Sequence, residues 1–163
     1  MEILCHRGFW LGAEEKNSLA ALRRAVDQGF GFESDVRDYC GRLVISHDIA
    51  NEKSPALEEV FKLLAGAEDK FFFAINIKAD GLVGALKFLP EKYSLKKYFV
   101  FDMSVPQMLW YRNAGMKFFT RQSESFGARE KSLLCVLGVA RARAAKTFRA
   151  QKNFSERSVT LGD

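Results

Sequence analysis

The sequence predicts an α/β fold in which about five to six parallel strands carry helices on their outer side, as part of a TIM-type (β/α) barrel. Segments with strand character alternate with segments of helical periodicity as far as about residue 120. Residues 71–77 are almost all apolar, as expected of a strand that is buried on both faces. Since a complete (β/α)8 barrel needs about 250 residues, a chain of 163 residues predicts only part of one.

The elements before residue 50 follow from apolar spacing and turn residues. In order they are a strand at 2–5, a helix at 19–28, a strand at 31–36 and an extended return arm at 42–46. Apolar residues of the helix recur at helical spacing, Asn17 or Ser18 can cap its start, and Gly29 ends it. The return arm follows a turn at residues 38–41, which predicts a hairpin.

The elements after residue 50 repeat the alternation of helix and strand. In order they are a helix at 55–64, the strand at 71–77, a helix at 80–89, a strand at 97–101, a helix at 105–113 and a short strand at 117–120. Ser54 followed by Pro55 is typical of a helix start, and Gly66 and Gly115 are typical of helix ends. A helix between two strands favours parallel pairing of those strands.

The pattern stops near residue 126, which divides the chain into a barrel-like portion at 1–126 and a divergent basic tail at 127–163. Residues 132–139 are a candidate sixth strand, and residues 140–152 have the composition of an exposed helix. Truncation, a frame shift or divergence of the gene would each explain the change. The tail holds eight basic and three acidic residues, which accounts for the whole net charge of +5. Such a tail either contacts nucleic acid or an acidic membrane surface, or is a solvated end. The solvated end is the simpler interpretation, and no nucleic-acid partner is expected.

The cysteines and the apolar segments bound the environment of the protein. The three cysteines do not indicate a disulfide framework, so a reducing cytoplasm is the expected location. No stretch approaches the roughly 18–20 apolar residues of a membrane span, and the N-terminus lacks the features of a signal peptide. We therefore expect no transmembrane segment.

Four groups of polar residues lie at or near the ends of predicted strands. They are His6-Arg7-Gly8, the pair Glu33 and Asp35, His47-Asp48, and the pair Asn76 and Lys78. The carboxyl ends of parallel barrel strands converge on one mouth, so the groups are expected to meet there. A spacing of two places Glu33 and Asp35 on one face, where they can bind a hard divalent cation. Two carboxylates this close repel each other unless a cation or a proton intervenes.

Each group also has an ordinary structural explanation. A histidine at a strand end is often structural, Glu33 and Asp35 could be salt-bridge partners, and Asp48 could close a loop. The occurrence of all four groups in order at strand ends argues for a joint site. Cys5 beside His6 suggests a Cys/His nucleophile, but adjacent residues of a strand face opposite ways, which argues against that interpretation.

These motifs resemble the glycerophosphodiester phosphodiesterase family, within the wider PI-PLC-like phosphodiesterase superfamily. The family pattern is His-Arg-Gly, then Asn-Ser/Thr opening a helix, then Glu-x-Asp, then His-Asp. Here it reads His6-Arg7-Gly8, Asn17-Ser18, Glu33-Ser34-Asp35 and His47-Asp48. The match is close over residues 1–48 and looser over residues 49–126.

The resemblance implies a role for each group. His6 and His47 would be the acid/base pair, and Arg7 and Lys78 would hold the substrate phosphate, with Arg121 in a predicted mouth loop as a further phosphate contact. Glu33, Asp35 and Asn76 would bind Mg²⁺ or Ca²⁺. The family usually has a second glutamate in a Glu-x-Lys pattern, where this chain has Asn76-Ile77-Lys78, so the resemblance implies weaker cation binding.

The function that the resemblance implies is metal-dependent hydrolysis of glycerophosphodiesters or related lipid-headgroup diesters, which are small-molecule substrates. Two alternatives remain open at this point. One is a phospholipase-like lyase of the same superfamily. The other is a truncated or degenerate relative that binds phosphate-bearing ligands without turnover, which the uncharged Asn76 and the missing part of the barrel favour.

Overall fold

Strands and helices alternate through residues 3–65 and 70–119, the part of the chain that the computed structural model describes. The elements within these ranges are β1 (Leu4–His6), α1 (Leu19–Asp27), β2 (Gly31–Tyr39), β3 (Arg42–Ile45), α2 (Leu57–Ala65), β4 (Phe73–Ile77), α3 (Val83–Lys92), β5 (Tyr98–Phe101), α4 (Val105–Asn113) and β6 (Phe118–Phe119). Arg121 and the tail predicted at 127–163 lie outside the described residues. Among the described helices, none has the length and apolar character needed to cross a bilayer.

Five of the strands in the described ranges form a parallel sheet in the order β1-β2-β4-β5-β6. β3 pairs with β2 in the antiparallel direction and completes the predicted hairpin. α1, α2, α3 and α4 each lie between consecutive parallel strands, which is the connection that parallel pairing requires. The prediction of a partial (β/α) barrel is confirmed, with five parallel strands and one antiparallel strand.

The two faces of the sheet have different surroundings, because successive side chains of a strand alternate between them. Phe32 and Val36 of β2 lie in the core between the sheet and the helices. That core includes Leu22, Leu57, Val60, Phe61, Leu64, Leu86 and Leu89 from the helices and Phe73, Ile75 and Val100 from the strands. The other face carries the apolar cluster of Leu4, Ala74 and Phe99, which Phe72, Phe101 and Phe119 extend. Glu33 and Asp35 alternate with Phe32 and Val36, so they belong to this second face.

Helix α2 begins at Leu57, two residues later than the start predicted at Pro55. The backbone N–H of Ile45 donates to the carbonyl of Pro55 at 2.8 Å. Val44 and Ala56 form an isolated antiparallel bridge. These contacts with β3 hold residues 55 and 56 in an extended conformation, so the prediction of a helix start at Pro55 was wrong.

Helix α3 begins at Val83, three residues later than predicted. Asp80, the predicted first residue, instead accepts hydrogen bonds from the Ser104 hydroxyl at 3.0 and 3.2 Å. This contact ties the segment after β4 to the segment before α4. Other predicted bounds differ from the structure by at most three residues.

Gly8 lies where the chain leaves β1 and passes close to α1. Its φ is +85°, and a Cβ at this position would lie 2.8 Å from the backbone carbon of Ala21 and 2.9 Å from the backbone nitrogen of Leu22. The next residue, Phe9, donates its N–H to the carbonyl of Ala21 at 2.9 Å. The glycine of the His-Arg-Gly motif therefore allows the backbone to approach α1 directly.

We predict that Gly8→Ala lowers the free energy of unfolding by about 2–4 kcal/mol, since it combines a disfavoured φ with overlap against backbone that cannot move aside. Gly29→Ala is the matched control, because Gly29 has a φ of +79° but no atom within 4 Å of the added Cβ. The control is expected to lose only about 1 kcal/mol. Urea unfolding of both variants measures the difference, and equal losses would contradict the role of close approach.

Candidate active site

Glu33 and Asp35 lie at the centre of the candidate site, on the face of β2 that does not contact the helices. Both side chains are buried, with 2% and 0% of their surface exposed. In the strand register Glu33 pairs with His6 of β1, and Asp35 pairs with Asn76 of β4. The spacing of two therefore placed both carboxyl groups on one face, as predicted, between residues of the two neighbouring strands.

Asp35 is surrounded by donors. Arg7 Nε lies 2.8 Å from Asp35 Oδ2, although its N–H does not point along this line, so the pair is ionic rather than a well-aligned hydrogen bond. Asn17 Nδ2 donates to the same oxygen at 2.8 Å. Lys78 Nζ lies 3.6 Å from Asp35 Oδ1. Two cationic side chains thus offset one carboxylate that has no access to water.

Glu33 has a different set of neighbours. Asn76 Nδ2 donates to Glu33 Oε1 at 2.9 Å, and the backbone N–H of Arg7 donates to Oε2 at 3.0 Å. His6 Nε2 lies 3.8 Å from Oε2, an ion pair when the imidazole is protonated. Contacts thus bring together six of the predicted site residues: His6, Arg7, Glu33, Asp35, Asn76 and Lys78.

Asn17 is a residue of the site whose role the sequence did not reveal. The helix cap is Ser18, whose hydroxyl accepts the N–H of Ala21 at 3.1 Å. The Asn17 side chain instead contacts β2, because its Oδ1 accepts from the Ser34 hydroxyl at 3.0 Å and from the backbone N–H of Asp35 at 3.3 Å. Its φ of +60° is tolerated better by Asn than by most residues. The signal available in the sequence was its place in the Asn17-Ser18 motif.

Asp102 is the second residue that the sequence did not identify. It directly follows β5, has a φ of +68°, and accepts a hydrogen bond from Lys78 Nζ through Oδ2 at 2.8 Å. Both side chains are mostly buried, with 17% of Lys78 and 13% of Asp102 exposed. Lys78 therefore lies between two carboxylates and is closer to Asp102 than to Asp35.

His47 lies apart from this cluster in its described contacts. Its side chain is 44% exposed, and its Nδ1 lies 2.8 Å from Asp48 Oδ1. Its backbone carbonyl accepts from the guanidinium of Arg37 at 3.1 and 3.2 Å, which ties the loop after β3 to β2. The predicted acid/base pair is therefore composed of one mostly buried histidine on β1 and one exposed histidine on a loop.

The site offers side-chain oxygens of the kind that a hard divalent cation binds. Across residues 3–65 and 70–119, no three His, Cys, Asp or Glu side chains come together in a way that could hold a metal. Asn76, however, adds an amide oxygen to the two carboxylates. Asp35 Oδ1 and Asn76 Oδ1 are buried oxygens on paired residues, and neither has a hydrogen-bond partner within that part of the chain. Such oxygens are ligands that Mg²⁺ and Ca²⁺ accept.

The architecture is similar to three solved structures. These are glycerophosphodiester phosphodiesterases from Parabacteroides distasonis (TM-score 0.58, 18% identity) and Agrobacterium tumefaciens (0.61, 18%), and a phosphodiesterase from Oleispira antarctica in complex with the product sn-glycerol-3-phosphate (0.58, 16%). The chain has the fold of glycerophosphodiester phosphodiesterases. The alignments cover 73–74% of this chain and 64–66% of those proteins. No family model and no curated protein matches the sequence.

The resemblance to glycerophosphodiester phosphodiesterases is thus confirmed at the level of the fold, and the incomplete span agrees with the prediction of a partial barrel.

The geometry of β1 argues against a Cys/His nucleophile. Cys5 packs against the helix-side core, on the face opposite to His6. Burial raises the pKa of the Cys5 thiol to about 11, so it stays protonated at neutral pH.

The pKa of Glu33 predicts a pH-dependent stability for this cluster. Burial first, and then the Asp35 carboxylate, raise this pKa from about 4.5 to about 7. Since the folded pKa is the higher one, the contribution to stability is complete below about pH 4.5 and is lost as the pH rises through about 7. A shift of this size corresponds to about 3 kcal/mol over the window.

Urea unfolding of the chain without added cation, from pH 4.5 to pH 8, measures this contribution. Glu33→Gln lacks the titrating group, so its free energy of unfolding is expected to fall less than that of the wild type across the same window. Identical slopes in the two proteins would show that Glu33 does not titrate there.

Proposed function

We propose that this chain is a metal-dependent phosphoric diester hydrolase that cleaves glycerophosphodiesters or related lipid-headgroup diesters. The observation that carries the proposal is the cluster of Arg7, Glu33, Asp35, Asn76 and Lys78 at one end of a parallel sheet. The shared fold supports it, as does the sn-glycerol-3-phosphate in the Oleispira antarctica phosphodiesterase, which is a small phosphate ester product.

Arg7 and Lys78 are the groups that would bind the substrate phosphate, with Arg121, outside the described residues, as a further candidate. Both cations already face the same carboxylate, at 2.8 Å and 3.6 Å from oxygens of Asp35. Hydrogen bonds from guanidinium and ammonium groups to an anion are strong and directional. A phosphate that enters the site would share these donors with Asp35.

Glu33, Asp35 and Asn76 are the residues that would hold Mg²⁺ or Ca²⁺. The bound cation would polarise a phosphoryl oxygen and offset the charge that develops during cleavage. Glu33 must be ionised to bind it, so its raised pKa makes cation affinity increase as the pH rises towards about 7. Because Asn76 contributes an oxygen without charge, we expect weaker binding than at a site with three carboxylates.

His6 and His47 would transfer the protons. Histidine side chains change charge near neutral pH, so one can accept a proton from the attacking oxygen while the other donates one to the leaving alkoxide. His6 Nε2 lies 3.8 Å from Glu33 Oε2, and His47 Nδ1 lies 2.8 Å from Asp48 Oδ1, so each imidazole has a carboxyl group beside it. The exposure of His47 suits a group that meets the leaving alcohol at the mouth of the site.

One observation favours a second function, which is phosphate-ligand binding without turnover. Asn76 occupies the position at which the family usually has a glutamate, so the site has one carboxylate fewer. Such a protein would keep Arg7 and Lys78 as anion-binding groups and lose the chemistry.

Hydrolysis of glycerophosphocholine and of bis(p-nitrophenyl) phosphate by the full chain tests these alternatives. We expect release of product with Mg²⁺ or Ca²⁺ and none with EDTA. Phosphate binding measured by calorimetry, with no release under any condition, would favour the non-catalytic function. A cyclic phosphate as the final product would favour the lyase of the wider superfamily.

A further inference from the structure

Lys78 lies between two carboxylates that it does not contact equally. Its Nζ is 2.8 Å from Asp102 Oδ2 and 3.6 Å from Asp35 Oδ1. The first distance is that of a hydrogen bond between charged groups, whereas the second is only an ion pair. Asp35 Oδ1 consequently remains buried without a hydrogen-bond partner among the described residues.

Asp102 is held in a conformation that this contact helps to explain. Its φ of +68° is uncommon for residues other than glycine, and such conformations persist where the surrounding structure requires them. Asp102 directly follows β5, and its carboxylate reaches back to Lys78 at the end of β4. The backbone thus directs this carboxylate towards Lys78, which could otherwise hydrogen-bond directly to Asp35.

We propose that Asp102 is a positioning residue that draws Lys78 away from Asp35 and so keeps Asp35 Oδ1, beside Asn76 Oδ1, available to a divalent cation. This inference rests on the proposed function. An ammonium group bonded directly to Asp35 would compete with the cation for the same oxygen and would repel it. Asp102 removes that competition and leaves Lys78 near enough to meet a phosphate.

Asp102→Asn is the first test, because asparagine has nearly the same shape and tolerates the left-handed conformation, but it lacks the charge. Asp102→Gly is the second variant, since glycine adopts this φ without strain and separates loss of the carboxylate from any failure to fold. Calorimetric titration of the full chain with Mg²⁺ and with Ca²⁺ measures the dissociation constant. We expect both variants to bind the cation about tenfold more weakly.

A double-mutant cycle with Lys78→Met shows whether Asp102 acts through Lys78. Methionine keeps the length of the side chain and removes the charge. We expect Lys78→Met to bind the cation at least as tightly as the wild type, and Asp102→Asn to have no further effect in that background. The matched control is Glu58→Gln, which removes an exposed ion pair with Lys92 and is expected to leave the dissociation constant unchanged.

The outcomes separate this inference from the proposed function. Equal cation affinity of the wild type and Asp102→Asn overturns the role of Asp102 and leaves the cation site standing. An equal loss in the presence and absence of Lys78 also overturns it, since Asp102 would then act by its own charge. A wild-type chain that binds neither cation overturns both this inference and the metal dependence of the proposed function.

Discussion

Replacement of Asp35 by alanine is expected to lower the free energy of unfolding by about 3–5 kcal/mol, the usual result of removing one partner from a buried ion pair. Asp35 has no exposed surface, and it faces Arg7 and Lys78, of which only 20% and 17% are exposed. Its loss leaves two cations in a site with little water and also removes the acceptor of Asn17 Nδ2. Urea unfolding at neutral pH measures the change.

Glu58→Gln again supplies the control, since it removes the charge of an exposed partner of Lys92 rather than that of a buried carboxylate. Its unfolding midpoint should remain close to that of the wild type. Asp35→Asn is expected to fall between the control and Asp35→Ala, because it retains one oxygen acceptor but not the charge. An Asp35→Ala variant as stable as the wild type would mean that Arg7 is solvated in solution and that Asp102 alone satisfies Lys78.

Replacement of His6 or of His47 by alanine is expected to lower turnover of a phosphodiester by about 10²–10⁴-fold, the usual contribution of a general acid or base. The two variants should differ in stability. His6 is three-quarters buried beside Glu33, whereas His47 is 44% exposed and contacts a neighbour that is 93% exposed. We therefore expect His47→Ala to unfold at nearly the same urea concentration as the wild type.

Rates with bis(p-nitrophenyl) phosphate and with glycerophosphocholine distinguish the two histidines. Since p-nitrophenolate leaves without protonation, the variant that lacks the general acid should lose much less rate on the first substrate than on the second. Cation affinity measured in parallel controls for damage to the metal site. If His47→Ala turned over both substrates at the wild-type rate, His47 would have no part in proton transfer.

The elements that the sequence predicted well are those whose signal is local. The apolar run that became β4 is buried on both faces, and the helical spacing before Gly29 became α1. The start of α2 was wrong because Ser54 and Pro55 favour a helix locally, whereas pairing with β3 imposes an extended conformation on residues 55 and 56. The pairing of β3 with residues 55 and 56 is a tertiary contact, and helix propensity does not encode tertiary contacts.

In the candidate site, too, the residues with a local signal were predicted and those that depend on distant contacts were not. The shared face of Glu33 and Asp35 could be predicted because alternation along a strand is a local property. The role expected of Asn76 came from the family resemblance. Asn17 and Asp102 were missed because each acts on a residue 18 or 24 positions away in the sequence. Asn17 lay in the recognised motif, but helix-capping preference explained it equally well. Nothing in the sequence around Asp102 indicated that β5 would place it beside Lys78.

Because of the hairpin of β2 and β3, the surroundings of the two histidines differ in how well they tolerate substitution. His6 belongs to a parallel strand of the sheet, so a substitution near it disturbs packed neighbours. His47 follows an antiparallel strand that pairs with β2 outside the parallel order, on an exposed loop. A library of loop sequences across residues 46–54 would therefore vary the position of His47 with little change in the free energy of unfolding. Under the proposed function, this loop is where substitutions would change the choice of leaving group with the least effect on stability.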